Sequence, residues 1–158
     1  MRNVPNAGLS RRTAILAAAA FVATGGKNPK ESPKVVFVCL HGTVKSPIAR
    51  EIMRSRAESR GIAVRVRSRG IDPEEGASPE VATALIRDHI VVRRDRLQRL
   101  TAADGEWADT IVFFDPLPFK FVGKDLRDWR ATPSVNQHYA DALASIRTRI
   151  DALLDELV

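Results

Sequence analysis

The chain holds one cysteine, Cys39, among 158 residues. That excludes an internal disulfide, a zinc finger built on cysteines and a two-cysteine redox pair. No apolar run reaches 18 residues, so no stable membrane span is expected. Residues 34–158 contain no internal repeat and no low-complexity tract. They also lack an excess of charge. The whole chain carries a formal +6, yet residues 1–34 hold six Lys/Arg against one acid and residues 35–158 hold 19 against 18. The basicity belongs to the N-terminus, so no nucleic-acid partner is expected. His89 and His138 show no metal-ligand spacing, and no metal or cofactor is implied. With 44% hydrophobic and 28% charged residues, the remaining class is a globular protein of one domain.

Residues 1–33 read as a signal-like or flexible segment, and residues 34–158 as the folded domain. Arg2, Arg11 and Arg12 form a positive start, and Thr13–Ala23 is a short Ala-rich apolar stretch. Thr24, Gly25 and Gly26 break it. Charge, short apolar stretch and small residues follow the order of a secretory signal. Ser10-Arg11-Arg12 resembles a twin-arginine export signal, which implies a periplasmic or exported protein. The alternative is a frayed tail on a cytoplasmic one.

From Lys34 strands and helices alternate. Lys34–Leu40 is a β-branched and aromatic run, a buried strand. Ser46-Pro47 opens a helix, with Ser46 as its N-cap, that runs to Gly61. Ile62–Ser68 alternates and predicts a strand with one wet, basic face. Ser78 begins a second helix, ending near Asp88. Leu97–Asp104 is a short helical segment, Asp109–Phe114 a buried strand, Asp115–Pro133 irregular, and Asn136–Leu157 a closing helix. Such alternation predicts an α/β fold, a parallel sheet with helices on both faces.

Cys39-Leu40-His41-Gly42-Thr43-Val44-Lys45-Ser46-Pro47 is where chemistry concentrates. A strand delivers Cys39 to its C-terminal end, a loop follows, and a helix begins. Ligands of open α/β sheets bind at that edge. Converging loop amides and the helix dipole suit a tetrahedral oxyanion, and the same field favours a thiolate. A thiolate inside an anion cradle can attack phosphorus and form a covalent intermediate.

With Val35–Cys39, Ser46-Pro47-Ile48-Ala49, Ser68-Arg69-Gly70 and Ala108–Val112 in this order, residues 34–157 resemble the low-molecular-weight protein tyrosine phosphatases and the thioredoxin-type arsenate reductases of the same fold. The resemblance implies a four-stranded parallel sheet in the order 2-1-3-4. It implies Cys39 as nucleophile and the backbone of Leu40, His41, Gly42, Thr43, Val44 and Lys45 as the phosphate cradle. Ser46 would donate a hydrogen bond to the sulfur. Lys45 stands where the family has arginine, keeping the charge and losing the planar fork. Gly42 stands near a loop-bracing asparagine of the family. His41 adds a side chain that aids an anion when protonated. The family's general acid lies before the last helix. Asp128 aligns with it, Asp125 is the alternative, and Asp115-Pro116 has the family's dipeptide but follows a strand directly. Trp129 is expected to line the pocket wall and meet an aromatic substrate.

Three functions follow. The first is phosphomonoester hydrolysis, of the phosphotyrosine phosphatase kind, through a phosphocysteine; its partner is a phosphorylated small molecule or protein. The second is a catalytically weak or inactive domain that binds phosphate or a phosphoprotein. The third is arsenate reduction, which with Cys39 alone requires an external thiol.

Overall fold

The computed structural model describes residues 31–74, 76–92 and 98–158. The expected leader lies outside them up to residue 30, with its three arginines, and so does Leu97.

Strand β1, Lys34–Cys39, is central. It pairs in parallel with β2, Arg65–Gly70, on one side and β3, Thr110–Phe113, on the other. Strand β4, Asp125–Asp128, pairs in parallel with β3 and completes the order β2-β1-β3-β4. The sheet is the one the resemblance implies.

Period-two alternation divides the central strands between two cores. Val35, Phe37, Cys39, Val66 and Val112 face one side. There they meet α1 (Lys45–Ser59), α2 (Pro79–Arg87) and α4 (Tyr139–Glu156), through residues such as Ile48, Leu85 and Ile146. Val36, Val38 and Ile111 face the other. They are covered by Leu100, Ala108, Phe121 and the side of Trp107, the last residue of α3 (Ala102–Trp107). Burial on both faces is why β1 is continuously apolar.

Four local expectations need correction. Ser46 is not the N-cap of α1. Val44 takes that place, and Ser46 sits buried inside the first turn. The stretch 115–133 is not wholly irregular, because it contains β4. Asp125-Leu126-Arg127-Asp128 carries no apolar alternation, and the ladder with β3 holds it instead. Arg127 adds bonds to Asp125 at 2.8 Å and to Glu156 at 2.6 Å. Charge suits an edge strand, since it discourages pairing with another chain. The helical segment is displaced to Ala102–Trp107, while Arg99 forms a strand-like bridge to Gly70. Finally, the basic face of β2 is not bare. Arg67 stacks 3.8 Å from the centre of the Trp107 ring, and Arg69 Nε donates to Asp104 at 2.8 Å. Ser78 does cap α2, accepting from the Val81 N–H at 3.3 Å.

Candidate functional site

The last residue of β1 is Cys39, 5% exposed. Its Sγ lies 3.1 Å from Ser46 Oγ. That hydroxyl also donates to the Arg69 carbonyl at 3.2 Å. It has one proton and two acceptors. When Cys39 is a thiol, its S–H can donate to Ser46 while Ser46 donates to Arg69. When Cys39 is a thiolate, the same proton can turn to the sulfur. Removing Ser46 from the cap position is what puts its oxygen there.

The loop between β1 and α1 is held from one side. Carbonyls of Cys39, Leu40 and His41 accept from the N–H groups of Ile71, Asp72 and Glu74 at 3.0, 2.8 and 3.2 Å. Gly42 adopts φ +68°, and a Cβ there would meet Gly70 N at 2.8 Å and Gly70 Cα at 2.9 Å. A Cβ on Gly70 would meet the backbone of His41 and Gly42 at 3.0 Å. Two glycines in contact therefore brace the loop, in place of an asparagine side chain. Gly70 was legible as a motif residue, but its contact with Gly42 was not.

With the carbonyls drawn outward, no acceptor among the described residues takes the N–H of His41, Gly42, Thr43 or Val44. These donors lie in the loop that leads into a 15-residue helix. Free amides and the positive end of the dipole together suit an oxyanion. The Leu40 N–H differs: it donates to Asp115 Oδ2 at 2.8 Å.

Lys45 Nζ donates to the Thr132 carbonyl at 3.0 Å and lies 6.0 Å from the Phe114 ring centre. Its charge thus stays beside the loop while tying it to the segment before α4. His41 turns toward the outer strap, with Nδ1 at 3.3 Å from the Asp72 carbonyl and 3.4 Å from Glu74.

The three acids fall in different places. Asp125 pairs in register with Thr110, which pairs with Val35. It is therefore at the opposite end of the sheet, four residues or about 13 Å from the level of Cys39. Asp128 is at the correct end, but on the far strand. Arg130 grips it, with Nε at 2.9 and 3.0 Å, Nη2 at 2.6 Å and its backbone N–H at 3.0 Å. Those bonds from Arg130 hold the carboxyl down to about 2. Asp115 stands next to the loop itself. Trp129 does not line a pocket wall. It is 6% exposed and packs on Phe37 and Phe114 at centroid distances of 5.7 and 5.8 Å, because the strand period turns it into the core.

Among the described residues no group of three His, Cys, Asp or Glu is placed to hold a metal ion. None of their helices is long and apolar enough to cross a membrane.

Comparison with known proteins gives the same frame. The family model described as low molecular weight phosphotyrosine protein phosphatase matches residues 34–119. A protein-arginine-phosphatase of Bacillus subtilis is 38% identical over 60 residues, 37% of this chain and 40% of that protein. The chain thus aligns with less than half the length of this relative. A thioredoxin-dependent arsenate reductase of Corynebacterium glutamicum superposes with a TM-score of 0.61 at 25% identity, over 80% of this chain and 61% of its own. A low molecular weight protein tyrosine phosphatase of Streptococcus pyogenes superposes with 0.64 at 18% identity, over 80% and 93%. The last likeness is one of fold.

Proposed function

The chain belongs to the low molecular weight phosphotyrosine protein phosphatase family, and from that premise we propose that it hydrolyses phosphomonoesters through a phosphocysteine on Cys39. The free loop amides hold the non-bridging oxygens. The Cys39 thiolate attacks phosphorus and the ester oxygen departs. Water then attacks the phosphocysteine, and the sulfur leaves as a thiolate that Ser46 stabilises. Lys45 supplies charge near the equatorial oxygens without a bidentate grip. The observation that carries this reading is the 3.1 Å contact of Cys39 with Ser46 beside four unclaimed amides.

The substrate class is a phosphorylated small molecule or protein. Phosphotyrosine follows the family description, and phosphoarginine follows the name of the Bacillus subtilis relative. Both belong in the assay. A rapid denaturing quench during turnover, read by mass spectrometry, should find phosphate on Cys39 in the wild type and none in Cys39→Ser. The Lys45–Thr132 bond favours a second reading, a domain that binds phosphate with little turnover. Phosphate-dependent thermal stabilisation without trapped phosphocysteine would select it. Arsenate reduction with an added thiol is the third reading, and the single cysteine places it last.

Export through the residues 10–12 motif is part of the same proposal. Arg11→Lys with Arg12→Lys keeps the charge and alters the signal, so cell fractionation of this double variant should show retention in the cytoplasm. Unchanged fractionation removes the twin-arginine reading.

A further inference from the structure

An ester leaving group needs a proton, and the phosphatase reading above, on which this inference rests, leaves its donor open. Asp72, Glu74, Asp115 and Asp128 stand at the sheet edge that bears Cys39. Asp72 is bonded to Arg99 at 2.9 Å, and Glu74 faces His41. Asp128 accepts from three groups of Arg130. The guanidinium fork on Asp128 favours its carboxylate over the protonated form, which counts against it as an acid catalyst.

Asp115 differs on both counts. Val38 pairs with Phe113, and the Phe114 N–H donates to the Val38 carbonyl at 2.8 Å. The next residue is therefore carried alongside the start of the anion loop. Its Oδ2 accepts from the Leu40 N–H at 2.8 Å, it is half-buried, and it has no cationic partner among the described residues. Its Oδ1 is unclaimed there. One oxygen anchors the group to the loop, and the other is left to carry a proton. We propose that Asp115 is the general acid of this chain, in the role the family resemblance gives to Asp128.

Protons and electrons balance without a co-reactant. As Cys39 Sγ bonds to phosphorus, the P–O ester bond breaks with its electron pair on oxygen, and that oxygen takes the Asp115 proton. The Asp115 carboxylate then takes a proton from the water that attacks the phosphocysteine. The P–S bond breaks, Cys39 leaves as a thiolate, and Asp115 is protonated again.

Asp115→Asn tests this directly, because its amide oxygen still accepts from Leu40 but has no acidic proton. Steady-state rates are compared on 4-nitrophenyl phosphate, a good leaving group, and phenyl phosphate, a poor one. Asp115→Asn should lower kcat on phenyl phosphate on the order of 10²–10⁴-fold, and far less on 4-nitrophenyl phosphate. The latter rate also shows that the variant is folded. Asp128→Asn should keep the wild-type ratio between the substrates. If Asp115→Asn keeps that ratio, or Asp128→Asn loses it, Asp115 is not the acid although the phosphatase reading stands. If Asp115→Asn behaves as wild type while Asp115→Ala is impaired, Asp115 only braces the loop and the proposal falls. A wild type that turns over neither substrate and traps no phosphocysteine overturns the phosphatase reading together with this inference.

Discussion

Lysine and arginine bring equal charge to position 45, but not equal geometry. Lys45 places one ammonium, and the Thr132 carbonyl takes a bond from it at 3.0 Å. A guanidinium has five donors, enough to hold Thr132 and still present two to equatorial oxygens. One aimed donor in such a site is worth about 2.7–4 kcal/mol. Lys45→Arg should therefore raise kcat on an aryl phosphate roughly tenfold or more, with KM little changed, since the contacts strengthen as charge develops. A loss of activity would mean that the loop is shaped around lysine. The residue scale also contains a pH effect. Arg130 lowers the Asp128 carboxyl to about 2 from an ordinary 3.8. The pair therefore contributes above the ordinary carboxylate value, and the contribution is lost as pH falls from about 4 through about 2. Arg130→Ala should return the Asp128 titration to the ordinary carboxylate range, read by carboxyl-carbon NMR. A titration still near the wild-type value would assign the shift to other groups. That Cys39 ends a strand and that Lys45 and Ser46 open the next helix was legible from local strand and helix signals. The grip of Arg130 was not, because it depends on a side-chain rotamer two residues away.

At the scale of elements, legibility followed burial. β1 carries a continuous apolar run and the closing helix a strong apolar period, and both formed within three residues of the expected bounds, as Lys34–Cys39 and Tyr139–Glu156. β4 is four residues with a charged pattern, held by its ladder and by Arg127, so no single-segment signal announced it. The anion loop is an intermediate case. Its place between a strand and a helix was readable, but its brace joins Gly42 to Gly70, which is 28 positions away in the sequence. Gly42→Ala should fail twice, through a positive φ and through contact with the Gly70 backbone. Strain of this kind costs about 1–3 kcal/mol. A fall in Tm of at least ~3 °C should accompany loss of turnover. Wild-type Tm and activity in Gly42→Ala would show that the two segments separate freely.

The molecule as a whole divides its charge unevenly, and that makes the proposed anion site testable. Residues 35–158 are within one charge of neutral, whereas residues 1–34 carry the excess. A long-range field from the body therefore contributes little to capture of a phosphate; on the proposed function, local amides and Lys45 would hold it. Ligand that binds only the folded state stabilises it by RT ln(1 + [L]/Kd), about 2.7 kcal/mol at a hundredfold excess over Kd. Inorganic phosphate at that excess should raise Tm by several degrees. Cys39→Ser should keep the rise, because the thiolate is not needed to hold the ion. Lys45→Ala should lose most of it. Added sodium chloride separates the two possible sources of binding. Contacts inside a half-buried loop are weakly screened, so the rise should change little between low and physiological salt. Association with the arginines and lysines of the N-terminal segment would fade over the same range. A salt-sensitive rise that survives Lys45→Ala would move the anion from the Cys39 loop to the leader, and the mechanism would lose its binding site.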